Sequence, residues 1–277
     1  MISVEQAINT NRYPIFDLES GDTQHLVRQV QESLADIGAC VLPDFVTPEA
    51  LSILAAEANE LKSLAFQGPT SATPYFFNYQ HDGHLDVDGE HPLKRVGRRC
   101  LSQVASDLIP EASLLHRIYY HDVLPGFLAA VRGTPIFHNC DPYQNLNISV
   151  MQPGGCQQWH FDGGTMVTTL LLQEPEAGGV FEFAPNIRSD DNENYEDVRK
   201  VLDGETAHLH RIEPKAGQLV LFQGHYSLHR VTEVAGERAR LQAILGYTHV
   251  KNYVGTLESS VLHYGERIRE GAKAVYH

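Results

Sequence analysis

The chain reads as a mainly β protein with flanking helices, its core an antiparallel barrel or jelly roll. Three observations lead there. Its 277 residues are 42% hydrophobic and 20% charged, enough to build a packed core. Up to about Gly133 the texture is mostly helical. From Asn145 it becomes strand, turn, strand: short β-rich strings separated by Pro-Gly-Gly, Ala-Gly-Gly, Lys-Ala-Gly and Ala-Gly-Glu.

The elements follow in order. TQHLVRQVQESLADIG places Leu26, Val27, Val30, Leu34 and Ile37 on one helical face, with Gly38 as its C-terminal cap. ACVLPDF reads as a short strand. TPEALSILAAEANELKSLA reads as a helix with Thr47 as N-cap and Pro48 in the first turn. LPGFLAAVRG is a shorter helix. Residues 67–100, rich in Gly, His, Asp and aromatics, read as a long ordered loop. The strands come next: LNISVMQP, MVTTLLLQE, GVFEFAP, AHLHRIEP, GQLVLFQG, HRVTEV and RLQAILGYTH. The expected organisation is one domain over 1–277. Its mostly helical part, 1–144, packs on one face of the barrel. Its jelly-roll core, 145–250, carries an acidic insert or lid at 186–207, and a helical tail spans 251–277.

Lys plus Arg number 21 against 35 Asp plus Glu, a formal net charge of -14, which argues against nucleic acid or an anionic membrane as partner. The N-terminus lacks a basic start followed by an apolar run, so no signal peptide is expected. No window approaches ~18 uninterrupted apolar residues, so no transmembrane helix is expected. The four cysteines, Cys40, Cys100, Cys140 and Cys156, form no C-x-x-C pair. Free thiols in a reducing cytoplasm are the simplest reading. The sequence leaves a homodimer open.

The chemistry centres on CQQWHFDGGTMVTTLLLQ. On a strand, His160 and Asp162 share one face and Phe161 takes the other, so the spacing supplies two convergent ligands. The following glycines let the backbone turn without a side chain in the way. A second H-x-D, His84-Leu85-Asp86, has no strand after it and lies among other acids. For a third ligand the sequence offers His225, in a turn, and His229, at the head of a strand; His229 is favoured because a strand fixes a ligand better. Two His and a carboxylate make the facial triad of non-haem iron(II) oxygenases, which leaves room for a bidentate 2-oxo acid and dioxygen. The far carboxylate of that acid calls for an Arg fork. Arg238 and Arg240 are the candidates, and Arg240 is favoured because it leads into an apolar strand.

Other residues carry two readings each. Trp159 caps the core or shapes a pocket. Asn145 and Asn147 face the pocket or satisfy the sheet. Asp141-Pro142-Tyr143, just before the barrel, meets a substrate amine or has no part in the site. Lys94, Arg95, Arg98 and Arg99 form a solvated basic face, or one holds a substrate carboxylate. His208 and His210 are read as solvated, and His81, His84 and His91 as loop residues.

The order His160-x-Asp162, His229, Arg240 resembles the iron(II)/2-oxoglutarate-dependent dioxygenase superfamily over roughly 145–250. WHFD, TTLLLQEPEAGG, NENYEDVRKVLDG, YSLHRVTEVAGERAR, HPLKR and DLIP are similar to the bacterial group of free-lysine halogenases and sister amino-acid hydroxylases. The resemblance implies a double-stranded β-helix (jelly-roll, cupin-like) core. It implies Fe(II), O2 and 2-oxoglutarate as cofactors and co-substrate, with succinate and CO2 as co-products. It also implies a small-molecule substrate, a free amino acid or derivative. In the halogenating members a small residue replaces the carboxylate ligand; Asp162 is retained here, which implies hydroxylation. The same oxidation ending in desaturation or ring closure, and a cupin-like binding or isomerase barrel without oxygen chemistry, are the alternatives.

Overall fold

The computed structural model describes residues 2–75, 87–272 and 275–276. His81, His84 and Asp86, and with them the second H-x-D, lie outside the described residues.

Two antiparallel sheets make the core. The larger takes its strands from β1 (Ala39–Leu42), β2 (Phe66–Gln67), β5 (Ser102–Val104), β7 (Leu146–Met151), β9 (Val167–Gln173), β13 (Leu219–Phe222) and β16 (Arg240–Leu245), in the order β1-β13-β9-β16-β7-β5-β2. The smaller takes β3 (Ser71–Ala72), β4 (Gly97–Cys100), β8 (Cys156–His160), β11 (Phe181–Ala184), β12 (His210–Ile212) and β14 (Leu228–Val231), in the order β12-β11-β14-β8-β4-β3. Two short pairs, β6 (Phe137–His138) with β17 (Tyr247–Thr248) and β10 (Ala177–Gly178) with β15 (Val234–Ala235), stand apart from them, and the expected jelly-roll layout of mainly β structure with flanking helices is present.

Period-two alternation explains how one strand serves two masters. In β16, Leu241, Ala243 and Leu245 join the main apolar core, while Arg240, Gln242 and Ile244 face a cavity between the sheets. In β7, Leu146, Ile148 and Val150 face the core and Asn147, Ser149 and Met151 the cavity. β9 divides the same way, Leu170 and Leu172 against Thr169 and Leu171.

Five helices cover the outer face of the larger sheet: α1 (Val4–Ala7), α2 (Gly21–Ile37), α3 (Pro48–Leu61), α4 (Leu114–Tyr120) and α5 (Val123–Arg132). Ser20 caps α2, and Gly38, at φ 69°, ends it in the left-handed region and turns the chain into β1. Thr47 caps α3 with Pro48 in its first turn, as its sequence requires. Their buried faces, including Leu26, Val30, Leu54, Ile118 and Phe127, merge with the sheet into one core. Each such fully buried side chain contributes about 1.5–3 kcal/mol.

The segment 67–100 departs from the expected loop. Its ends are strands: β3 and β4 pair with each other, and β4 extends the smaller sheet through Arg99↔Gln157 and Cys100↔Cys156. Gly-rich composition hid these short strands. In the 186–207 segment, α6 (Tyr195–Leu202) packs Val198 against Trp159, Phe161, Ala184 and Leu228 on the outer face of the smaller sheet. The tail forms α7 (Leu257–Tyr264) and α8 (Ile268–Gly271).

Candidate active site

The cavity between the sheets has a volume of about 270 Å³. His160, the last residue of β8, and His229, in β14, are direct cross-strand partners. Their rings lie 4.0 Å apart, centroid to centroid. Each is oriented the same way. His160 Nδ1–H donates to the Gln158 carbonyl at 2.8 Å, and His229 Nδ1–H to the Ser227 carbonyl at 2.9 Å. Those bonds fix the tautomer and leave both Nε2 lone pairs directed into the cavity. Gln157 Nε2 donates to the His160 lone pair at 2.9 Å.

Asp162 completes the group. Its Oδ2 lies 3.4 Å from His229 Nε2 and its Oδ1 3.9 Å from His160 Nε2. Among the described residues, these three side chains bring ligand atoms within 4.8 Å of one another. The strand argument for Asp162 needs correction, because β8 ends at His160. Phe161 N donates to Pro74 O and Asp162 N to Gly224 O, at 2.9 and 3.0 Å, so the backbone leaves the ladder for loop partners. The carboxylate still converges because Gly224 makes room. A Cβ on Gly224 would stand 1.8 Å from Asp162 Oδ2.

The electrostatics suit a divalent cation. Burial drives His160 down to about 3, with His229 adding to the effect, so its imidazole is neutral at ordinary pH. Burial pushes the Asp162 carboxyl up, but His229, His160 and His225 outweigh it and hold it below the usual range. Two imidazoles and one carboxylate are the donor set of a 2-His-1-carboxylate metal site, and the residues fit it.

Arg240 reaches the same cavity from the opposite sheet. It is buried, and its Nε has no hydrogen-bond partner among the described residues. Burial holds its guanidinium down at about 10. Arg238 is exposed and donates Nε to the Glu174 carbonyl at 2.8 Å, outside the cavity. The choice between the two arginines is thereby a matter of placement: only Arg240 lines the cavity.

The remaining candidates sort by position. Arg99 is buried, lines the cavity, and donates Nη2 to Gln103 Oε1 at 3.1 Å. Burial lowers its pKa. Arg98 pairs instead with Glu233, Arg95 with Asp203 and Glu90, and Lys94 with the Val87 carbonyl, all on the surface. Asn147 lines the cavity, whereas Asn145 donates to the Tyr120 hydroxyl. Asp141 is fully buried and accepts from Tyr143 N, Gln144 N, Gly255 N and the Tyr276 hydroxyl, so it ties the tail down and is not open to a substrate amine. Trp159 packs outward under the Arg230 guanidinium, 4.6 Å above its ring. His210 stacks on Phe183, and His91 lies against Tyr195. His225 sits in the turn before β14 with Nδ1 3.3 Å from the Asp162 carbonyl.

Sequence reasoning missed Gln103, Gln157, and Ser259 and His263 of α7, all of which line the cavity. Ser259 and His263 are four apart on one helical turn, a signal readable in the tail. Burial, followed by the charge of Arg99, lowers His263 to about 4.

A model of the halogenase D family matches residues 84–260, which includes every one of the proposed ligands and Arg240. The chain belongs to this family. The fold of this family member is shared by solved structures at low identity. The non-haem α-ketoglutarate-dependent carbocyclase SnoK from nogalamycin biosynthesis is 13% identical, with a TM-score of 0.56 over 81% of this chain and 85% of that one. The epimerase SnoN from the same biosynthesis is 12% identical, with a TM-score of 0.55 over 81% of each chain. EctD from S. alaskensis, solved with 2-oxoglutarate and 5-hydroxyectoine, is 15% identical, with a TM-score of 0.52 over 84% and 79%. No curated protein matches the sequence. Among the described residues, no helix is long and apolar enough to cross a membrane.

Proposed function

We propose that this halogenase D family member is an iron(II)- and 2-oxoglutarate-dependent oxygenase that hydroxylates a small carboxylate-bearing molecule, a free amino acid or a derivative. The observation that carries the reading is the meeting of His160 and His229, from one sheet, and Asp162, from the loop after β8, with the buried Arg240 from the other sheet, in a single cavity. Bound iron(II) and 2-oxoglutarate would supply the oxidation with dioxygen, with succinate and CO2 as co-products.

The chain's own residues do the rest. His160, Asp162 and His229 would hold the metal on one face and leave the cavity side open. Arg240 would take the far carboxylate of the co-substrate; its orphaned Nε and buried charge call for an anion there. Leu171, Phe222, Val231 and Ile244 give the cavity apolar walls, which would limit water at the reacting centre. Arg99 reaches the cavity from β4, a different sheet from that of Arg240, and its guanidinium offers a second anion site, suited to the substrate's own carboxylate.

Asp162 supports hydroxylation over halogenation. A carboxylate already stands at the third corner, and Gly224 is shaped around it, so a halide has no place on that face.

The test is succinate release from 2-oxoglutarate with added iron(II), across a panel of free amino acids and N-acyl derivatives, with products read by mass. We expect one substrate to raise succinate and gain one oxygen atom. No succinate with any candidate, together with unchanged behaviour of Arg240→Ala, would overturn the oxygenase reading. A chlorinated main product in excess chloride would overturn the role given to Asp162.

A further inference from the structure

Asp162 is the ligand that no strand holds, and Gly163 and Gly164 beyond it are exposed. Something else must fix it. Its backbone N–H donates to the Gly224 carbonyl at 3.0 Å, and its carbonyl stands 3.3 Å from His225 Nδ1, which donates to it as the Nδ1–H tautomer. The loop carrying Asp162 and the turn carrying Gly224 therefore lie side by side, joined by two hydrogen bonds.

One buried side chain spans both. The Arg188 guanidinium carbon lies 3.9 Å from the centroid of the Phe161 ring, the residue before Asp162. Its Nε donates to the carbonyl of His225, the residue after Gly224, at 2.6 Å. Its Nη1 pairs with Glu193 Oε2 at 2.9 Å, and its own backbone N–H donates to Tyr226 O at 3.2 Å. Arg188 does not line the cavity. It lies on the outer side of the metal group, in the 186–207 segment, with its charge over an aromatic face and balanced by Glu193.

The structure assigns Arg188 the role of a positioning residue: it clamps Phe161 to His225 and so sets the distance from the Asp162 carboxylate to the two histidines. A planar fork suits this, because one face stacks on a ring while the edge donates in two directions. A lysine would keep the charge and the pairing with Glu193 but lose the Nε bond to His225.

The inference rests on the proposed metal site, and the test separates the two. Copper(II), which heads the affinity order for first-row divalent ions, is titrated into the metal-free protein against a competing chelator. Electron paramagnetic resonance reports its ligands, and the His160→Ala/His229→Ala variant gives the background. Arg188→Lys and Arg188→Leu are expected to weaken copper binding by about 10–100-fold, the range for groups that orient metal ligands, and to shift the hyperfine pattern toward that of Asp162→Ala. Arg188→Lys is expected to melt near the wild-type temperature. In the Asp162→Ala background, Arg188→Leu should cause no further loss, because its effect runs through the carboxylate. An equal further loss in that background, or unchanged affinity in both single variants, overturns the positioning role while leaving the metal site intact. Wild-type binding no stronger than the background overturns the metal site itself.

Discussion

Arg240→Met separates what a buried charge does for function from what it does for the fold. In the protein without bound anion, burial brings the Arg240 guanidinium down to about 10. Relative to the unfolded chain, that drop corresponds to about 3 kcal/mol of unfavourable charging, present at neutral pH because the group is protonated in both states. Methionine keeps the apolar stem and removes the charge. The ligand-free variant should therefore be more stable by up to about 3 kcal/mol, roughly 6 °C in melting temperature for a chain of this size. Binding should move the other way. Losing one partner of a buried ion pair costs about 3–5 kcal/mol, so the variant should bind 2-oxoglutarate roughly 150- to 5000-fold more weakly. The assay is a pair of thermal melts, with and without 2-oxoglutarate and a divalent metal. Wild type should gain stability with ligand, and the variant should start higher and gain little. A variant that melts several degrees lower and still responds to 2-oxoglutarate would refute the placement of the anion on Arg240.

Three further outcomes follow from the same site. Gly224→Ala puts a Cβ 1.8 Å from Asp162 Oδ2 and should displace the carboxylate, weakening metal binding at least about tenfold; unchanged metal affinity would show that Asp162 is not a ligand. Arg99→Leu should raise the substrate KM by about 10–150-fold, the worth of hydrogen bonds to a charged group, and leave the 2-oxoglutarate KM alone; the reverse pattern would exchange the roles of the two arginines. Acid should destabilise the chelator-treated protein. His160 and His263 have folded pKa values depressed to about 3 and about 4, so the unfolded chain binds protons that the folded one refuses. Their stability contribution is intact above about pH 6.5 and is lost as pH falls, by about 2 kcal/mol each at pH 5. Flat melting temperatures between pH 8 and 5 would contradict their burial as neutral rings.

What the sequence made legible was whatever obeys a local period. The helices α2 and α3 showed their faces and caps, and the barrel strands showed alternation because one side meets an apolar core and the other a polar cavity. His160, His229 and Arg240 could be placed because each sits at or next to a strand end whose direction the alternation sets. The missed parts depend on distant backbone. Short strands β3 and β4 exist because β8 offers an edge, which local composition in 67–100 does not reveal. Asp162 was placed by a strand argument, yet its position depends on Gly224 and Arg188. Arg99 could not be told from Arg98 until β4 fixed which of two adjacent arginines faces inward.

The division of labour between the sheets has a consequence for how this site tolerates change. The sheet that carries Arg240 is backed by five helices in one continuous core, so the position of the proposed anion site is tied to global stability. The sheet that carries the two proposed histidine ligands is backed by a much smaller cluster around Trp159, Phe161 and Val198. The third proposed ligand, Asp162, lies beyond its strand, next to Gly224 and His225 and, in the proposal above, braced by Arg188. A change from carboxylate to small residue at 162 therefore touches one loop and its brace and leaves the ladders alone. Local devices of this kind would let the ligand set change without refolding the barrel, and under the proposed function residue 162, where hydroxylation and halogenation would part, sits where the backbone leaves the sheet.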